Sequence, residues 1–163
     1  MKGIVSKVAL GVAGTGMAVA VAAVAIGPRL SDWYDERHQV QASYDTGTQA
    51  KADRRSMPTW LPDNASGVQY LMSTTGDDRL LRATLPEGRL PVGCTAGLPG
   101  KAAHPVPMSL KAGWFPENVT TKVTGTCGHY NVTLTGNQLF AWQDGAAVQA
   151  ALRAEHVTKH GSR

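Results

Sequence analysis

Cys127 sits in Val123-Thr124-Gly125-Thr126-Cys127-Gly128-His129-Tyr130, with a histidine two residues on and one other cysteine, Cys94, in the chain. Three chemistries are open to such a set. A thiolate at Cys127 with an imidazole as proton carrier would be a nucleophile. Cys94, Cys127 and His129 could offer three donors to zinc, although Cys-x-His is not a usual ligand spacing. A Cys94–Cys127 disulfide would close a loop between residues 33 positions apart. The loop-entropy model values such a closure at about 3.7 kcal/mol, before native strain.

The compartment decides among them. Val8 to Ile26 is a run of nineteen uncharged residues, roughly 28 Å long as a helix and close to a hydrocarbon core. Lys2 and Lys7 precede it, and the balance of Lys and Arg favours an N-terminus inside and the bulk of the chain outside. Ala20-Val21-Ala22 and Ala23-Val24-Ala25 also fit signal cleavage sites. Two outcomes follow: a single-pass protein of the cell membrane, or a secreted one if the segment is removed. Both export the rest of the chain, where thiols pair. The disulfide is therefore the expected state of Cys94 and Cys127.

Val123 to Cys127 is similar to the Thr-Leu-x-Thr-Cys motif of the sortase-like transpeptidases, which are also anchored with the N-terminus inside. That family needs a histidine far upstream and an arginine shortly after the cysteine. Here His104 is too near, and no arginine follows until Arg153. The enzyme reading is disfavoured on those departures.

The surrounding elements must position these residues. Residues 1–28 are expected as anchor or signal, and 29–56 as a juxtamembrane stalk. Asp45 to Ser56 has no apolar residue larger than Ala, and Trp33 and Tyr34 sit where interfacial aromatics would. A β-rich domain is expected over 57–143, and a short helix and polar tail over 144–163, with Asp144 as a cap. Val68, Tyr70 and Met72 alternate with Gln69, Leu71 and Ser73, the period of a strand. Thr75-Gly76-Asp77-Asp78 is turn chemistry, and Leu80 to Leu85 can pair back. Pro86 to Pro107 is too rich in Pro and Gly for helix or central strand.

From Val119 the alternation places Val119, Thr121, Val123, Gly125 and Cys127 on one face. Gly128-His129 reads either as a two-residue turn of the Gly-first type or as a bulge in one long strand. The turn sets Cys127 opposite Tyr130 and Gly125 opposite Val132. Gly136-Asn137 is a second turn, pairing Leu134 with Leu139 and Val132 with Ala141. Phe140 and Trp142 then fall on the opposite face, where a half-buried sheet should be polar. Something must cover that face: the Trp114-Phe115 segment, Trp60 or the Pro-rich connection. The fold class is thus α+β: an N-terminal membrane helix and stalk, then a small antiparallel sheet domain with one disulfide and a short C-terminal helix.

Other signals are weak. The formal charge is +4 on 163 residues, but Lys and Arg are scattered, so no nucleic-acid footprint forms. No phosphate loop, dinucleotide fingerprint or zinc-protease motif is present, and no cofactor or metal is expected. His156 and His160 beside Glu155 read as a solvated tail. Asn64, Asn118 and Asn131 begin glycosylation-type triplets, read as coincidence in a bacterial composition.

Tyr44-Asp45-Thr46-Gly47, Trp60 to Ala65, Ser73 to Leu81, Cys94, Trp114-Phe115-Pro116, Cys127-Gly128 and Phe140-Ala141-Trp142 carry a resemblance over most of the chain. They resemble a group of small exported or membrane-anchored two-cysteine proteins of actinomycetes, to which no activity is assigned. The resemblance implies the same compartment and a two-cysteine domain. It brings no catalytic residues. The expected function is therefore binding, held to the membrane through residues 8–26, of an envelope protein, a peptide or a wall polymer, with an exported Cys/His enzyme or a passive structural envelope protein as the alternatives. The expected surface is Trp60, Trp114, Phe115, Phe140 and Trp142, because aromatic anchors dominate binding energy.

Overall fold

A computed structural model describes residues 38–97 and 107–160. Contacts divide the chain after His38, and the second unit, Gln39–Arg163, holds the whole sheet. The expected span over 8–26, with Trp33 and Tyr34, lies outside the described residues. Among the described residues no helix is long and apolar enough to cross a membrane.

Seven strands form one antiparallel sheet: β1 (Gln39–Thr46), β2 (Ser66–Ser73), β3 (Arg79–Thr84), β4 (Cys94–Ala96), β5 (Gly125–Cys127), β6 (Tyr130–Thr135) and β7 (Gln138–Gln143). Their order across the sheet is β1-β2-β3-β7-β6-β5-β4. Helix α1 (Gly47–Asp53) follows β1, and α2 (Gly145–His160) follows β7. The antiparallel sheet, the disulfide and the C-terminal helix match the expected fold class.

The local hairpins form as their residues dictate. β2 and β3 pair from Met72 opposite Arg79, across the Thr74 to Asp78 turn. At Gly128-His129 the turn wins over the bulge: Cys127 pairs with Tyr130, and Gly125 with Val132. Gly128 takes φ 60°, the sign the first residue of such a turn needs. Leu134 pairs with Leu139 and Val132 with Ala141 across Gly136-Asn137.

The described part of the expected 29–56 stalk, from Gln39, is corrected by the sheet, and residues 29–37 lie outside the described residues. β1 pairs with β2 along its whole length, and α1 packs beside it. Val40, Ala42 and Tyr44 lie opposite Met72, Tyr70 and Val68, so a period of two was present. The Thr46 hydroxyl caps α1, accepting from the Gln49 N–H at 3.2 Å. Ala50 is fully buried. Its small side chain lets the helix come close, and the lack of larger apolar residues is what made the segment read as a linker. The folded unit therefore starts at Gln39, not Met57.

Both faces of the sheet are covered. On one, Val68, Tyr70, Leu81, Leu139 and Val132 pack under Ala50, Met57 and Leu61. On the other, Leu71, Leu80 and Trp142 pack under Leu110, Phe115 and Val119. The strand expected to run from Val119 is shorter than the alternation suggested, and Val119 and Val123, expected on the Cys127 face, pack on the second face instead. Glu117–Thr121 coils into a 3-10 turn, burying Val119 and Thr120 against the second face.

The C-terminal helix is longer than the short one expected, at 16 residues. Asp144 caps it, its Oδ1 accepting from Ala147 N–H at 2.8 Å. Gly145 and Val148 are buried, and the side chains from Gln149 to Lys159 are exposed.

Candidate functional site

The two cysteines meet where β4 pairs with β5. Cys94 and Cys127 are direct cross-strand partners, with Cα atoms 4.2 Å apart, and their sulfurs are bonded. Cys127 is fully buried. A bonded sulfur carries no thiolate, so the nucleophile and zinc readings of Cys127 fall in this state. His129 lies exposed on the turn.

Gly125 explains how β4 comes so near. A Cβ there would stand 2.5 Å from the Thr95 carbonyl oxygen and 3.0 Å from Leu90 Cδ1. Leu90, from the Pro-rich connection, packs on the first-face core beside Cys94. The disulfide thus ties that connection to the sheet.

The five aromatics expected as one surface are divided by the sheet. Trp60 lies on the first face, edge-on to Tyr130 with centroids 5.4 Å apart. The other four lie on the second face around Phe115. Its ring stands 5.9 Å from Trp114, 5.6 Å from Phe140 and 6.3 Å from Trp142, edge to face in each pair. Phe115 is 3 % exposed and Trp142 0 %. Those two are core, because the segment that carries Phe115 is itself the cover that Trp142 required. Trp60, Trp114 and Phe140 stay part-exposed.

Phe140 opens onto a groove of about 280 Å³, with Pro116, Asn118, Lys122, Thr135 and Gln138 around it. Strands β6 and β7 supply one wall, and the 3-10 turn the other. Thr133, beneath, donates to the carbonyl oxygens of Val119 at 2.8 Å and Lys122 at 3.0 Å, fixing the turn against the sheet. The Gln138 amide is held by its donor bond to Thr84 Oγ1 at 2.6 Å. Arg82 steadies the neighbouring cover, donating to the Trp114 carbonyl at 3.3 Å. An aromatic ring, fixed amide and hydroxyl groups and one exposed lysine make a surface for noncovalent contact with a polar chain. Sequence reasoning placed Phe140 here and missed Asn118, Lys122 and Gln138. The coiling of Glu117–Thr121, which the strand-like alternation concealed, brings Asn118 and Lys122 to Phe140, whereas β7 carries Gln138.

A second groove, between the β2–β3 turn and α2, holds Asp77, Asp78, Gly145 and Gln149. Its carboxylates are engaged in joining the two elements. Asp78 Oδ1 accepts from Gly145 N–H at 2.9 Å, and Asp77 Oδ2 from the Gln149 amide at 2.5 Å. Asp77 also faces Arg79 at 3.9 Å.

The first face carries the most perturbed group. Burial pushes the Tyr130 hydroxyl well above the usual tyrosine range, and the neighbouring Tyr70 hydroxyl adds to it. Tyr70 in turn donates to the Ser56 carbonyl at 3.1 Å. At the edge, burial raises Tyr44 and its bond to Asp53 raises it further, against the lowering effect of Arg54.

Compared with known proteins, the chain matches no family model, no curated protein and no solved structure.

Proposed function

We propose that this chain is an extracytoplasmic binding domain of the bacterial envelope, tethered through residues 8–26 and meeting its ligand at the Phe140 groove. The observation that carries the reading is the disulfide between Cys94 and Cys127. A structural disulfide in a small domain belongs to an oxidising compartment, which agrees with the apolar run that precedes the domain. The groove supports binding of an extended polar chain, such as a peptide or a wall polymer. Phe140 offers a ring to stack on, Lys122 a charge, and Asn118, Thr135 and Gln138 offer polar contacts.

The test is photo-crosslinking in the native membrane, with the probe placed at Asn118 or at the exposed Asp63, which lies in the 54–65 segment. The expected result is a discrete adduct from Asn118 that is absent from Asp63 and weakened by Phe140→Ala. Equal labelling from the two positions would sink the groove as the site. Recovery of the domain only in the cytoplasm, with its thiols free, would sink the compartment.

A further inference from the structure

The two edges of the sheet are built differently. β4 has three residues and is pinned through Cys94. β1 has eight, with no proline, no lysine and no bulge in its pairing with β2. Natural sheets guard long edges with such devices.

Two hydrogen bonds show which backbone groups of β1 face outward. Ser73 N–H turns toward β3 and donates to Asp78 O at 3.1 Å. Met72, Tyr70 and Val68 therefore turn toward β1 and bond to Val40, Ala42 and Tyr44. At the far end, Asp45 N–H turns away from β2 and donates to Gln49 Oε1 at 3.1 Å. The rim consequently carries the N–H and C=O of Gln39, Gln41 and Ser43. Among the described residues no backbone group pairs with them. The side chains of Gln41 and Ser43 are exposed.

We propose that β1 is a self-association edge, to which a second copy of this chain adds its own β1 antiparallel across a two-fold axis at Gln41. The rim is symmetric about that residue. Gln39 of each copy meets Ser43 of the other, and Gln41 meets Gln41, giving three hydrogen-bonded pairs. Gln49 closes the rim at Asp45, so the ladder stops at Ser43 and only this register uses every free group. Gln39 to Tyr44 carries no charge, so no like charges are set opposite each other. A two-fold contact of this kind is the commonest route to a dimer. Five-residue strands bury far less than the ~1,200 Å² of a stable interface. The pair is therefore weak in solution, and it strengthens when two copies share one surface. The proposal stands whether or not the Phe140 groove binds a ligand.

Cysteine crosslinking in the full chain tests it. Gln41→Cys places two thiols across the axis, and oxidation with diamide is expected to give a covalent dimer several-fold faster than Ser43→Cys or Asp63→Cys. Adding Ser43→Pro removes a rim N–H that β2 does not use, and is expected to abolish the crosslink with near-UV circular dichroism unchanged. Gln41→Lys sets like charges across the axis and is expected to lower the fraction of dimer in sedimentation of the uncrosslinked chain. Equal crosslinking at Gln41→Cys and Asp63→Cys would overturn the proposal. So would a dimer that survives Ser43→Pro, or a chain that stays monomeric while its β1 edge takes an unrelated extended peptide.

Discussion

Thr133, within β6, reaches from the sheet to hold the segment that covers it: its hydroxyl lies 2.8 Å from the Val119 carbonyl oxygen and 3.0 Å from that of Lys122. The side chain is 2 % exposed, and its single proton is shared between the two acceptors. Thr133→Val keeps the shape and removes the donor. The Val119 carbonyl keeps its bond from the Lys122 N–H at 3.1 Å, so the loss is that of an ordinary hydrogen bond, about 0.5–1.5 kcal/mol. Urea unfolding should show that loss. Hydrogen exchange should quicken at Glu117 to Lys122 and stay unchanged in β2 and β3. A uniform increase across the sheet would mean that Thr133 supports the whole core rather than the groove wall.

The disulfide is expected to contribute stability through the loop it closes. Its cysteines are 33 residues apart, which the loop-entropy model values at about 3.7 kcal/mol. Against a typical total of about 5–15 kcal/mol, its loss is severe. Urea unfolding of the full chain with and without a dithiol reductant measures it. A loss under about 1 kcal/mol would mean that β4 is held by other contacts, and that the reduced chain keeps much of the constraint.

Gly125→Ala tests the close approach of β4 and β5. The added Cβ meets the backbone oxygen of Thr95 at 2.5 Å, and backbone cannot yield as a flexible side chain can. Overpacking of this kind costs about 1–3 kcal/mol. The strands separate at the position two residues from the disulfide, so Cys94 becomes more accessible. The expected readout is faster reduction of Gly125→Ala than of the unmodified chain at equal reductant. A Gly128→Ala control is strained by its positive φ but leaves this contact alone.

The three hairpins β2–β3, β5–β6 and β6–β7 were legible because short local turns join their strands, whereas the strand order across the sheet was not. Gly76, Gly128 and Gly136 mark those turns, and the apolar residues between them alternate, so register followed from matching like with like. Cys127 facing Tyr130, and the need for a cover over Trp142, came from the same alternation. β4 was not legible, because Cys94–Ala96 lies inside the Pro- and Gly-rich connection read as irregular, and two further segments were misread, each for a physical reason. Glu117 to Thr121 has the alternation of a strand, yet its Thr120 and Thr121 hydroxyls donate to the carbonyls of Glu117 and Asn118, three residues back. Those local bonds suit a coiled turn. The 39–56 segment buries Ala50 and half-buries Tyr44 rather than burying leucine, so its apolar signal fell below that of a core element. Its polar residues are engaged instead. Arg54 donates to the Tyr44 hydroxyl at 2.8 Å, Tyr44 donates to Asp53 at 2.6 Å, and Lys51 donates to the Leu61 carbonyl at 3.0 Å. The groove was only half legible, because Phe140 belongs to a strand and Lys122 to the segment that coiled.

Tyr130 makes alkaline stability the sharpest pH test. Its hydroxyl is held neutral by burial, with its pKa raised above the usual value. An unfolded tyrosine ionises near pH 10. Below that pH both states are protonated and the stabilisation is complete. Above it the unfolded chain releases the proton while the folded one keeps it, so stability falls as pH rises. The slope for one such group is at most about 1.4 kcal/mol per pH unit. Tyr130→Phe removes the group and keeps the ring against Trp60. Urea midpoints measured from pH 8 to 11 should fall more steeply above pH 10 in the parent chain than in Tyr130→Phe. Tyr44, raised in the same direction but at the sheet edge, should leave a smaller residual slope that Tyr44→Phe removes. Parallel profiles for the parent and Tyr130→Phe would show that the hydroxyl reaches solvent before the domain unfolds.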